Sequence, residues 1–302
     1  MKTRGGSGGD ELPFKGAMGI MSMKSFEKTI KTAVCAVALG VAGLSGVLST
    51  PAQAQGDLLV APTRVILDGS RGTEVILSNI GSEEATYRIG LELRRMTEEG
   101  QLVPVEKVDA NGVEEASLGM IRYAPRRIAL PPGQPQAVRL AARPGAELPD
   151  GEYRVHMSFK AIPRPREVSQ EEPQGDQVTF RLVPIYGITI PIIVRHGRVE
   201  AQVALTQPSI IQGEDGPEFA MSIERSGDSS TYGALSIVKP GFEKPILLAG
   251  GIAVYPEIGT RQVRIKLTDE QAAQLKGPGR VEYRELPENG GGLIAAVDGM
   301  IG

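Results

Sequence analysis

The sequence predicts an all-β chain built as two β-sandwich domains, and three observations carry that prediction. Runs of strand-forming residues recur from Asp57 onward with turn residues between them. No helical periodicity persists beyond a turn or two. Glycine and proline are frequent, 38 and 22 in 302 residues, which suits short strands and turns better than long helices. The formal net charge of −3 gives no positive footprint for a nucleic acid, so none is expected as a partner.

The chain opens on residues that read as a leader, residues 1–54. Lys24, Lys28 and Lys31 precede an apolar run at 33–48, and Ala52-Gln53-Ala54 forms a small-residue cleavage site before Gln55. The run is too short and too rich in glycine for a comfortable membrane-spanning helix. A retained anchor is the alternative, and the A-x-A site speaks against it. The expected location is therefore the periplasm, after cleavage at about Ala54. The only cysteine, Cys35, lies in this leader, so the processed chain has to hold its fold without disulfides.

Residues 55–198 form the first expected domain. Strands are predicted at 58–67, 73–79, 86–94, 121–124, 127–130, 137–141, 152–162 and 177–195. Turns are marked by Asp68-Gly69, Asn79-Ile80-Gly81, Asn111-Gly112 and Pro131-Pro132-Gly133. The polar stretch 163–176 is expected to be a long loop. His196-Gly197-Arg198 reads as a hinge. Residues 199–302 then form a second, smaller unit, whose strands include 199–205, 218–224, 235–238, 251–255, 260–267 and 279–286.

One strand stands apart. From Val178 to Val194 every even position is apolar, including Phe180, Leu182, Pro184, Tyr186, Ile188 and Ile190, while the odd positions are mixed. Period-2 alternation places these side chains in one ridge along one face of a strand. At ~3.3 Å per residue the ridge spans roughly 55 Å, far beyond a typical strand. Burial throughout, between two sheets or two domains, accounts for the isoleucine-rich second half. The first half contains Pro184, which cannot donate to a ladder and points to a sheet edge. An apolar edge invites pairing with another chain, and strand addition is a function built on that property.

Three stretches then resemble a known family. They are Thr63-Arg64-Val65-Ile66-Leu67-Asp68-Gly69, Leu130-Pro131-Pro132-Gly133 with Gln136-Ala137-Val138-Arg139-Leu140 after it, and Glu152-Tyr153-Arg154 through Ala161-Ile162-Pro163 followed by the long loop and strand ending at Arg195. In order and spacing they resemble the periplasmic chaperones of the chaperone–usher pilus pathway, the PapD-like family. The second domain matches loosely, at 283–291. The resemblance implies two immunoglobulin-like sandwiches set at an angle around a cleft, and a long donor strand that fills the groove of a subunit lacking its last strand. Implied partners are pilin-like subunits and an outer-membrane usher, with no cofactor, no metal and no small-molecule substrate.

The resemblance also implies site residues. Arg64 falls at the position of the cleft arginine that holds a subunit's C-terminal carboxylate, and a guanidinium can grip a carboxylate through two parallel hydrogen bonds. Taken alone, Arg64 reads as a surface arginine at a strand edge. The family's cleft lysine is replaced by Pro191, so the pair of cations is incomplete. Glu152 and Arg195 align with a charged pair that braces the two domains, with Glu285 as the guessed third member; without the resemblance they read as two exposed charges. His156 and His196, the only histidines, lack metal-ligand spacing, and no carboxylate sits in a recognisable catalytic motif. A non-enzymatic role is therefore expected. The rival readings are a structural or adhesive surface-assembly subunit, which should form filaments on size-exclusion chromatography, and a hydrolase or sugar-binding sandwich, which lacks a catalytic constellation and has no tryptophan for stacking.

Overall fold

The structure, a computed structural model, describes residues 58–163 and 185–302. Ala54–Gly302 forms one compact unit. The expected leader and its cleavage site lie outside the described residues, as do Phe180, Leu182 and Pro184.

The first sandwich comprises β1 (Leu58–Ala61), β2 (Val65–Leu67), β3 (Thr73–Asn79), β4 (Ala85–Met96), β5 (Leu102–Val105), β6 (Ile121–Ala124), β7 (Arg127–Leu130), β8 (Gln136–Ala142), β9 (Gly151–Ile162) and β10 (Gly187–His196), with a short helix α1 (Gly112–Met120) after β5. One sheet has the order β1-β3-β8-β6; the other runs β2-β10-β9-β4-β5, with β7 also on β4. Alternation explains the packing. Val75 and Leu77 of β3 point inward, as do Tyr153, Val155, Met157 and Phe159 of β9 and Ile190, Ile192 and Val194 of β10, and they form one core.

The second sandwich holds β11 (Ala201–Gly213), β12 (Gly216–Gly227), β13 (Thr231–Val238), β14 (Leu247–Val254), β15 (Thr260–Lys266), β16 (Gly277–Arg284) and β17 (Leu293–Ile301), with helix α2 (Asp269–Leu275) before β16. Its sheets are β11-β12-β15 and β14-β13-β16-β17. Phe219, Ile223, Leu235, Ile237 and Tyr283 centre its core. Among the described strands every pairing stays on one side of residues 197–200, and so do the two large cores. The all-β, two-sandwich architecture is the one the sequence predicts.

Two local readings are corrected. The strand expected over 58–67 is two strands in opposite sheets, because Pro62 removes a ladder donor and the chain changes sheet there. Asn111-Gly112 is a helix start and not a hairpin turn: the Asn111 side chain accepts from the Glu114 N–H while Glu114 accepts from the Asn111 N–H, a capping box for α1. At the expected hinge, Arg198 N–H donates to Asp150 at 3.2 Å. Gly197 there has φ 67°, and the Asp150 carboxylate occupies the place a Cβ would take.

Candidate functional site

The outward face of the sheet containing β2, β10, β9 and β4 turns toward the second sandwich. On β9 the inward residues fill the core, so Glu152, Arg154, His156 and Ser158 point the other way, yet Glu152, His156 and Ser158 are buried. Strand register aligns four residues in a row across this face. Glu92 pairs with His156, and His156 with Pro191. The parallel pairing of β2 with β10 starts at Val65 opposite Ile192, which places Arg64 level with Pro191.

Arg64 reaches from this row to the second sandwich. It donates to Ser230 Oγ at 2.9 Å and Tyr255 Oη at 3.3 Å, and its guanidinium lies 4.7 Å from the Tyr232 ring centre. Its Nε is buried without a partner, and among the described residues no carboxylate forms an ion pair with it. Two hydroxyls and two aromatic faces position the cation, leaving it able to take an acidic ligand.

Glu152 and Arg195 meet as expected, at 3.4 Å, with the Glu152 side chain fully enclosed. The third member is Ser230, not Glu285. Ser230 N–H and Oγ–H donate to Glu152 Oε2 at 3.0 and 2.8 Å, and Arg195 donates to the Ser230 carbonyl at 3.3 Å. Glu285 is exposed just past the end of β16, and its N–H bonds the Gly292 carbonyl. The Ser230 hydroxyl thus links Arg64, from which it accepts, to Glu152, to which it donates. Nothing in the local sequence Asp228-Ser229-Ser230-Thr231 marks that role, because it arises from the approach of two sandwiches.

A second bridge lies beside the first. Arg154 pairs with both oxygens of Glu257, at 2.5 and 3.2 Å, and stacks over Tyr255 at 3.6 Å, while Met96 N–H also donates to Glu257 at 2.8 Å. Met96, Ile193, Ala253 and Tyr255 form a small apolar cluster between the sandwiches. Bidentate geometry, stacking and apolar burial together hold the two sandwiches in one relation.

His156 sits among these charges, 1 % exposed, and among the described residues neither ring nitrogen has a hydrogen-bond partner. Burial first, and then Arg154, Arg94 and Arg64, push its pKa down to about 3 against a smaller opposing pull from Glu92. The imidazole is therefore neutral at ordinary pH. Burial works to raise Glu92, but hydrogen bonds from Lys160, Ser158 and Arg94 together outweigh it and bring its pKa to about 2.

The apolar ridge divides at the start of β10. Tyr186 is 46 % exposed just ahead of the strand, Ile188 is half-buried against the first core, and Ile190 is 2 % exposed within it. Ile190 is corrected on this account: it belongs to the chain's own core and has no side chain to lend. The ridge that continues past Ile188 is an extension of that core face.

Among the described strands, one side of the backbone over the same segment has no partner. Ala161 N–H donates to the Tyr186 carbonyl at 2.9 Å, so even-numbered residues of β10 turn their backbone groups to β9 and odd-numbered ones turn theirs away. β2 occupies that outer side only opposite Ile192–Val194. Among the described strands nothing pairs with Gly187 or Thr189 there, and Pro191, which has no N–H, stands where the open edge ends.

No family model matches the chain, and no curated protein matches it. Solved structures similar to it include the chaperone–tip adhesion subunit pre-assembly complex CsuC–CsuE of archaic Csu pili from Acinetobacter baumannii (14 % identity, 82 % of this chain and 98 % of that one, TM-score 0.41). They also include the SafA pilin in complex with the SafB chaperone from Salmonella enterica (16 %, 80 % and 95 %, TM-score 0.42) and the class 5 fimbriae chaperone CfaA (13 %, 81 % and 99 %, TM-score 0.41).

Proposed function

We propose that this chain is a periplasmic chaperone of the PapD-like kind, with domains at 55–198 and 199–302, that binds pilin-like subunits by donor-strand complementation and hands them to an outer-membrane usher. The observation that carries the reading is the coincidence of the open edge of β10 with Arg64. A strand lying along Gly187–Thr189 has to stop where the chain crosses from β1 to β2, and Arg64 stands at that level. Orientation follows from charge. A strand parallel to β10, in line with β2, brings its C-terminal carboxylate to the guanidinium, whereas an antiparallel strand brings its ammonium, which Arg64 repels. The ridge of Tyr186 and Ile188 then supplies apolar side chains to whatever the strand belongs to.

Arg64→Ala tests this directly. Among the described residues the guanidinium bonds two neutral hydroxyls and no carboxylate, so the melting of the free protein should change little, while capture of pilin-like subunits falls at least about tenfold through loss of a charge-assisted bond. Normal capture by Arg64→Ala would show that the carboxylate docks elsewhere. Export is tested separately. Mass spectrometry of protein from the periplasmic fraction should find an N-terminus at or near Gln55, and a chain retaining Met23 in the cytoplasm would falsify it.

A further inference from the structure

The inward side chains of β12 sit at odd positions. Phe219, Met221 and Ile223 fill the second core, and the next in the row, Arg225, is 8 % exposed. Alternation therefore places a cation where an apolar residue is expected. Arg225 Nη1 donates to the Gly227 and Ser229 carbonyls at 2.9 and 2.8 Å, and Nη2 donates to the Pro256 carbonyl at 3.2 Å. These acceptors belong to two connections, one leading from β12 into β13 and the other from β14 into β15. The same connections carry groups that meet the first sandwich. Ser230 bonds Arg64 and Glu152, Tyr255 bonds Arg64, and Glu257 bonds Arg154 and the Met96 N–H. Burial lowers the pKa of Arg225, against the pull of Glu152, Glu257 and Asp228. An apolar residue of similar volume would fill the same place without that desolvation cost. It could not tie three carbonyls of two loops together, which the planar fork of a guanidinium does.

We propose that Arg225 is the positioning residue of the junction between the sandwiches: by holding both loops it fixes Ser230, Tyr255 and Glu257 where Arg64, Glu152 and Arg154 meet them. The relation of the two sandwiches is thus set from inside the second one, by a guanidinium whose hydrogen bonds all stay within it. Other ties keep each loop anchored at its base. Asp228 and Ser229 donate their N–H groups to the Glu200 carbonyl at 3.0 and 3.2 Å, and the Arg225 N–H donates to the Gly259 carbonyl at 2.7 Å. Loss of the guanidinium therefore frees the loops relative to each other and leaves the strands that bear them in place.

The test measures the distance between the sandwiches. Cys35→Ser removes the chain's only cysteine, and spin labels then go on Gln134→Cys and Lys244→Cys, exposed positions of the first and second sandwich. Pulsed electron–electron resonance should give one narrow distance for the native background. Arg225→Met, which keeps length and loses every donor, should broaden that distribution. Arg225→Lys should broaden it as well, because one ammonium cannot span carbonyls of two loops. In both variants the Ser230 and Met96 amides, which bond across the junction, should exchange hydrogen faster, while amides of β13 and β16 stay as protected as in the native protein. A native-like distance in both variants overturns the inference. A native-like distance in Arg225→Lys alone also overturns it, since a buried charge would then suffice. Lost protection of β13 and β16 in both variants overturns it too, by making Arg225 a prop of the second sandwich's own fold. No captured subunit enters these measurements, so their outcome is independent of the strand-capture reading.

Discussion

Leu182→Asp combined with Tyr186→Asp abolishes subunit capture while the melting temperature of the free protein stays within error of the native one. Both positions share the parity of Ile190, Ile192 and Val194, whose side chains fill the first core. Tyr186 is 46 % exposed, so the chain's own fold does not depend on burying it. A partner groove that takes up both side chains gains on the order of 1.5–3 kcal/mol for each, so the double substitution removes several kcal/mol of binding and adds the cost of desolvating two carboxylates. Arg181→Ala, on the opposite parity, should leave capture intact, because a strand's two faces are set by odd and even number. Ile190→Asp serves as the contrast: it puts a charge in the core and should unfold the protein. A periplasmic pull-down with a melting curve reads all three variants. Unfolding of the Leu182/Tyr186 double variant would mean that the ridge closes the protein's own core and is not offered to a partner.

Acid should destabilise the protein through His156 well before most carboxylates titrate. In the unfolded chain the imidazole protonates near pH 6.5, while in the folded protein burial and the arginines around it hold the pKa at about 3. Between those values the unfolded state binds the extra proton, so stability is full above about pH 6.5 and falls as pH drops toward 3. The slope approaches ~1.4 kcal/mol per pH unit, a loss of about 2–3 kcal/mol between pH 7 and pH 4.5 from this one group. Glu92 acts lower: its folded pKa of about 2 adds stability that is present above about 4.5 and lost below it. Urea unfolding of the native protein and of His156→Gln at pH 7 and 4.5 isolates the histidine. The native curve should drop by more than the variant's, and parallel curves would show that the imidazole is hydrated or already protonated in the folded state.

Much of the fold was legible because strands announce themselves at period 2. The alternation of β9 and β10 told which side chains enter the first core, although the second sandwich also buries much of their other face, and turn residues bracket most of the expected strands. The helices were missed although both carry capping boxes, at Asn111/Glu114 and Thr268/Gln271; each is too short for its apolar period to stand out. The expected pairing of Glu152 with Arg195 was legible from the family resemblance, and the structure brings the two together.

What the sequence determined by itself was local: strand content, the parity of the apolar ridge, and the placing of Arg64 just ahead of an inward-facing valine. Tertiary structure decided everything that needs two elements at once. Whether Ile190 is lent or kept depends on where the first core ends. Whether a described strand pairs the outer edge beside Gly187–Pro191 depends on the length of β2, which covers three residues of a longer strand. Ser230 completes the Glu152–Arg195 pair, and His156 is buried among charged groups, only because two sandwiches close over one face of a sheet. Such relations join residues from distant parts of the chain, and short-range alternation carries no information about them.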